Sequence, residues 1–299
     1  MRILSPALLG MTLVAVGCSS SNEVLVPPDE PTVERGPVTI AVDGDPNGLW
    51  WDAASATLFM ADDENNRVLR YRDGEGISLV ADLPAAPANG PGLGALARLA
   101  DGTLVVVRFG GGTAGDVVYV RPDGTSAKVP NLLPERRRIG ITVTADGQLL
   151  DGYFVRNNNV NVGSVARLTL DGTEQEVVGA MQKPVGVLAV GDTLFISDQL
   201  AGKVYRAPLS APSQLVPFAT LSMPDLLATG PGDTLLTGSR DGTVLSITSA
   251  GEVSVLAGGF QQPHGLAYDA KNKRLFVADH DGTPADGTTH TLRILPIDG

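Results

Sequence analysis

The chain holds one cysteine, Cys18, among 299 residues. That excludes an internal disulfide and, in everything after Cys18, a thiol nucleophile. It has three histidines, and none sits in a paired-histidine zinc motif. No phosphate-binding glycine loop and no serine-nucleophile elbow are present. Aromatic residues make up 5 %, too few for base-stacking platforms. Lys and Arg number 22 against 33 Asp and Glu, a net charge of −11. Such a body repels phosphate backbones, so nucleic acid is not an expected partner. No helical periodicity is long enough to imply a second domain. The apolar stretch at residues 3–16 counts 14 residues, too short to span a bilayer.

What is present is glycine, 36 residues of it, with 43 % hydrophobic residues. That mixture suits many short strands joined by tight turns. The apolar stretch follows Arg2 and ends in Ala15-Val16-Gly17-Cys18. It reads as a signal peptide over residues 1–17. Small residues directly before the cysteine resemble the bacterial lipobox, which makes Cys18 the lipidation site. The bland alternative is a signal peptide with an incidental cysteine. Ser19 after the cysteine resembles outer-membrane sorting in Gram-negative bacteria, so attachment by a lipid anchor alone is expected. Residues 18–36, with Pro27, Pro28 and Pro31, read as a flexible tether.

Residues 37–299 repeat internally. Segments such as Pro46-Asn47-Gly48-Leu49, Pro184-Val185-Gly186-Val187 and Pro263-His264-Gly265-Leu266 recur. Their third residues fall at 48, 94, 140, 186, 226 and 265, spaced by 46, 46, 46, 40 and 39. A period near 40–50 with four strands per unit is a propeller signature. Each unit shows an apolar second strand, such as Leu275-Phe276-Val277-Ala278-Asp279, and an alternating third, such as Arg67-Val68-Leu69-Arg70-Tyr71-Arg72. Alternation predicts a third strand wet on one face. Asp-Gly turns, as at Asp73-Gly74 and Asp171-Gly172, lead to a short fourth strand. The last unit lacks its fourth strand, and Val38-Thr39-Ile40-Ala41-Val42 is a spare one. The expected fold is therefore an all-β, six-bladed β-propeller whose last blade is closed by the N-terminal strand.

Residues 46–71, reading Pro-Asn-Gly-Leu-Trp-Trp-Asp, then Thr57-Leu58-Phe59-Met60-Ala61-Asp62, then Asn66-Arg67-Val68-Leu69-Arg70-Tyr71, resemble the first blade of the regucalcin and gluconolactonase (senescence marker protein) family. They are also similar to NHL-repeat propellers. The resemblance covers the body from about residue 38. It implies a divalent metal in the central channel, held by a Glu of blade one, Asn residues of blades three and four, and an Asp of blade five. Asn47 stands where that Glu would be, Asp225 matches the Asp, Val185 replaces one Asn, and no counterpart of the other lies near Ile139.

The same slot in the six units holds Asn47, Leu93, Ile139, Val185, Asp225 and His264. The three polar members become neighbours once a ring closes. Asn47, Asp225 and His264 are thus candidate ligands of one divalent metal, zinc or calcium, with too few oxygens for tight calcium. They are equally candidate contacts of a small molecule, or groups that satisfy backbone at the rim. His264 beside Asp225 is the candidate base. Arg138, in the run Arg136-Arg137-Arg138, is a candidate contact for an anionic ligand. Asp62, Asp198 and Asp279 close second strands and read as turn caps. The expected function is an envelope-anchored monomeric propeller that binds a small molecule or an envelope protein. The alternative is a metal-dependent hydrolase of lactone-like substrates.

Overall fold

A computed structural model describes residues 36–88, 90–283 and 286–297. Cys18 and the expected signal peptide and tether up to residue 35 lie outside the described residues. The strands assemble into six four-stranded antiparallel sheets. Blade one is Pro46–Asp52, Thr57–Asp62, Arg67–Arg72 and Gly76–Asp82. The later blades repeat that order, opening with Leu93–Arg98, Arg137–Val143, Pro184–Val190, Pro224–Thr229 and Pro263–Asp269. First strands of successive blades touch around the whole ring, the sixth meeting the first. This is the six-bladed propeller the repeat predicts.

The repeated glycine at the third position has a steric cause. A Cβ on Gly48 would lie 2.4 Å from the Gly94 carbonyl oxygen, and one on Gly265 would lie 2.0 Å from that of Asn47. In these blades the first strands approach too closely around the axis for any side chain there. Blade five carries Leu226 at this position, beside an irregularity in strand pairing between Pro224 and Leu227.

In blade six, Thr291–Pro296 pairs antiparallel with Val38–Ala41, which is the fourth strand of that sheet. The next residue, Val42, is fully buried among Leu49, Leu58, Phe276 and Leu292. Trp51 stacks on Phe276 with centroids 5.1 Å apart, at the seam between blades one and six. Trp50 faces the other way, tilted against Phe59 at 6.1 Å and beneath the Arg98 guanidinium.

The expected wetter face of the third strands forms in Lys203–Pro208 and Thr291–Pro296, which alternate buried and more exposed positions, but not in blade five. Thr243–Ile247 is buried at four of five positions. The strand that faces solvent is the fourth, as in Val253–Gly258, where Val255 is exposed. Adjacent blades cover both faces of Thr243–Ile247, with Val244 packed toward blade six and Leu245 and Ile247 toward blade four, whereas Arg206 on Lys203–Pro208 stays exposed. The extra length of blade three is regular structure. Leu149–Asn157 and Val160–Leu168 form a long hairpin turned at Asn158 and Asn159, both with positive φ. In blade two the added residues include a short 3-10 turn at Gly110–Gly112.

Candidate functional site

The ring encloses two cavities at opposite ends of its first strands. One, of about 400 Å³, is lined mainly by Leu49, Trp50, Trp51, Ile141, Val187, Leu227 and Ala267, with Arg98 as its one charged side chain. The other, about 210 Å³, is smaller but holds the ionisable groups. Chemistry needs those groups, so the smaller mouth is the candidate site.

Two layers build it. The first is the slot read from the repeat: Asn47, Leu93, Ile139, Val185, Asp225 and His264 all line this cavity. The second comes from residues just after the second strands: Asp63, Phe109, Gln199 and Arg240. Lys183 joins from the entrance to blade four. This second layer is in phase with the repeat: each member follows the last residue of a second strand, the position that Asp62, Asp198 and Asp279 hold in blades one, four and six. Those three aspartates are caps, as expected. Asp62 accepts from the Asp45 amide at 2.9 Å. Asp198 accepts from the Gln182 and Lys183 amides at 2.8 and 2.9 Å, and Asp279 from those of Gln261 and Gln262 at 3.0 and 2.9 Å. Each buried carboxylate ties down the segment entering its own blade, which fixes the loop residue that follows it.

His264 is held by Asp225, with Nδ1 2.9 Å from Oδ2. The Asp225 backbone is pinned by the Thr237 and Ser197 hydroxyls, at 3.0 and 2.7 Å. An ionised Asp225 keeps the proton on Nδ1, leaving Nε2 as the free acceptor. Burial works against the imidazolium, yet the hydrogen bond to Asp225 and its charge hold the His264 pKa above the ordinary value. Lys183 donates to the Gln199 amide oxygen at 2.5 Å. Burial pushes its ammonium below the usual lysine value, opposed by the charge of Asp225. Burial also raises Asp63, whose carboxylate accepts from the Leu93 amide at 2.6 Å.

Asn47 lines the mouth but its amide nitrogen donates to the Leu93 carbonyl at 2.7 Å, joining blades one and two. Both Asp225 carboxylate oxygens are also engaged, Oδ1 by the Leu226 amide at 3.0 Å. With Val185 and Ile139 apolar, this slot does not fit an oxygen-rich cation. Arg138 does not reach the mouth. It precedes the slot residue Ile139, and strand alternation turns it away. It is fully buried, bonded to Asp151 and 2.6 Å from Glu174. Arg136 pairs with Glu174 at 3.1 Å, and Arg137 lies over the Phe109 and Phe154 rings. The arginine run is structural, and its reading as a ligand contact is corrected accordingly.

A second group includes His280, which follows Asp279 in the same phase. Asp45, His280 and His290 bring one ligating atom each within 4.8 Å of one another, the one such group among the described residues. His280 Nδ1 lies 2.9 Å and His290 Nε2 3.9 Å from Asp45 Oδ1. The His280 and His290 rings stack at 4.0 Å, and His280 meets His264 edge-on at 5.8 Å. All three histidines of the chain thus share one corner.

No family model matches the sequence, and no curated protein matches it. Solved structures do. A gluconolactonase from Xanthomonas campestris superposes with a TM-score of 0.68 at 19 % identity, over 88 % of this chain and 89 % of that one. A regucalcin from Agrobacterium tumefaciens, described as calcium-binding, gives 0.66 at 17 %, over 84 % and 90 %. The chain has their fold. A virginiamycin B lyase from Staphylococcus aureus gives 0.58 at 14 % identity, over 87 % and 99 %. At these identities the likeness extends to architecture, and activity has to be argued from the chain's own residues.

Proposed function

We propose that the chain is an envelope-anchored propeller that holds a small oxygen-rich molecule in the mouth formed by Asn47, Asp225 and His264. The anchor is Cys18, placed by the motif Ala15-Val16-Gly17-Cys18. The observation that carries the reading is one cavity in which Lys183, Gln199, Arg240 and the Asp225–His264 pair face Leu93, Phe109, Ile139 and Val185. A largely apolar wall with a few convergent polar groups is the usual form of a small-molecule site. The cationic side suits a carboxylate or a polarised carbonyl. An envelope protein offering such a group from a loop is the alternative occupant. The similarly folded gluconolactonase supplies a first probe, gluconate. Titration calorimetry is expected to find that Asp225→Asn and Lys183→Gln each weaken gluconate binding about tenfold or more, the equivalent of about 1.4 kcal/mol. Equal affinity in wild type and both variants would contradict the reading.

One observation favours a catalytic extension. Asp225 orients His264 so that Nε2 can take a proton from water attacking a lactone carbonyl. In the virginiamycin B lyase fold relative, a variant with a histidine replaced by alanine is described as catalytically inactive. Neutral His264 would be the active form, so lactone hydrolysis should rise with pH and level off above the ordinary histidine value of 6.5. His264→Gln is expected to remove that limb and roughly 10²–10⁴-fold of the rate. A rate that is flat with pH and unchanged in the variant would eliminate hydrolysis by this residue.

A further inference from the structure

We infer that Asp45, His280 and His290 form a divalent-metal site of the nitrogen-rich, zinc-type class, separate from the channel slot. The slot positions offer few free donor atoms. The Asp45 corner, by contrast, offers two imidazoles and one carboxylate within 4.8 Å. Imidazole ligands select zinc, cobalt or nickel over calcium, and three protein ligands leave an open position. A neighbouring group adds weight: Asp281 Oδ1 is buried without a hydrogen-bond partner, while Oδ2 accepts from Thr291 at 2.8 Å. The corner is built from distant chain segments, since Asp45 enters blade one and both histidines belong to blade six. An ion here would fasten blade six, whose sheet joins Val38–Ala41 to Thr291–Pro296.

Loading has a defined cost in hydrogen bonds. An ion between Asp45 and His280 replaces the proton they now share. His290 Nδ1 accepts from the Gly282 amide at 2.9 Å, which places its proton on Nε2. For Nε2 to ligate, that proton must move to Nδ1, and the Gly282 amide must find another partner. Metal binding should therefore move the His280 Nδ1 proton to Nε2 and lower the hydrogen-exchange protection of Gly282.

The test uses the full chain, purified in detergent without affinity metal and stripped with chelator, then titrated with Co²⁺ alone. One ion per chain with visible d–d bands is expected. Asp45→Asn and His280→Gln should each weaken binding by more than the roughly 10–100-fold that loss of an outer-shell partner costs. Asp225→Asn, in the channel slot, should leave cobalt affinity unchanged. Melting of each variant in chelator checks that the fold is retained. The proposal is overturned if cobalt fails to bind, if Asp45→Asn and His280→Gln bind it like wild type, or if Asp225→Asn abolishes binding. Selective uptake of Ca²⁺ over Co²⁺ would overturn it as well.

Discussion

Arg138→Ala is expected to destabilise the propeller by about 3–5 kcal/mol, the range for removing one partner of a buried ion pair. At roughly 2–4 °C per kcal/mol for a domain of this size, thermal unfolding should shift by about 10 °C. The reason is what remains. Asp151 is fully buried, and its carboxyl is already pushed up by burial, with Arg138 as the principal force holding it down. Without the guanidinium, Asp151 and Glu174 face each other in blade three. The raised Asp151 pKa fixes the sign of the pH effect. A carboxyl that binds its proton more tightly when folded contributes stability at low pH and loses it as pH rises through its folded pKa. The deficit of the variant should thus be smallest in acid and grow toward neutrality. Arg138 Nε and Nη2 are buried without partners, so the network is not fully satisfied. Replacing Arg138, Asp151 and Glu174 together by apolar residues should recover most of the loss. A shift of under about 1 kcal/mol for Arg138→Ala would show that the network can rearrange around the gap.

Deleting residues 37–43 is the second large perturbation. It removes Val38–Ala41 from the edge of blade six and Val42 from the core between blades one and six. It also removes the Val42 amide bond to the His290 carbonyl at 2.9 Å. Blade six would keep three strands, and the exposed edge of Thr291–Pro296 would be open to pairing with other chains. Loss of cooperative unfolding, or a melting temperature lower by roughly 10 °C or more, is expected by scanning calorimetry. An unchanged transition would mean that this strand carries no part of the ring's stability.

The period, the blade count and the spare N-terminal strand were legible because propeller blades repeat one sterically constrained unit. Gly48, Gly94, Gly140, Gly186 and Gly265 mark it, since close first strands tolerate no Cβ. The slot was legible for the same reason: Asn47, Asp225 and His264 do share one mouth. The position after each second strand carries no shared apolar signal, although Asp63, Gln199, Arg240 and His280 share that phase. Arg138 was misplaced because its neighbourhood in sequence suggested the channel, whereas alternation decides which side a residue faces. Alternation reports a wetter face in Lys203–Pro208 but not in Thr243–Ile247, where adjacent blades cover both faces. The Asp45–His280 contact spans 235 residues and depends on ring closure, so no local pattern could display it.

The two mouths carry different reporters, which allows a direct test of where the molecule works. Trp50 and Trp51 line the larger apolar mouth, and His264 lines the polar one. With only three histidines in the chain, their imidazole resonances can be assigned by single substitutions. We would titrate gluconate and its lactone into the protein while following histidine ring signals and tryptophan fluorescence together. The account predicts a saturable shift of the His264 resonance, lost in Asp225→Asn, with tryptophan emission unchanged. Saturable quenching of the tryptophans with His264 unmoved would place binding at the opposite mouth and contradict the assignment of the Asp225–His264 pocket as the working site.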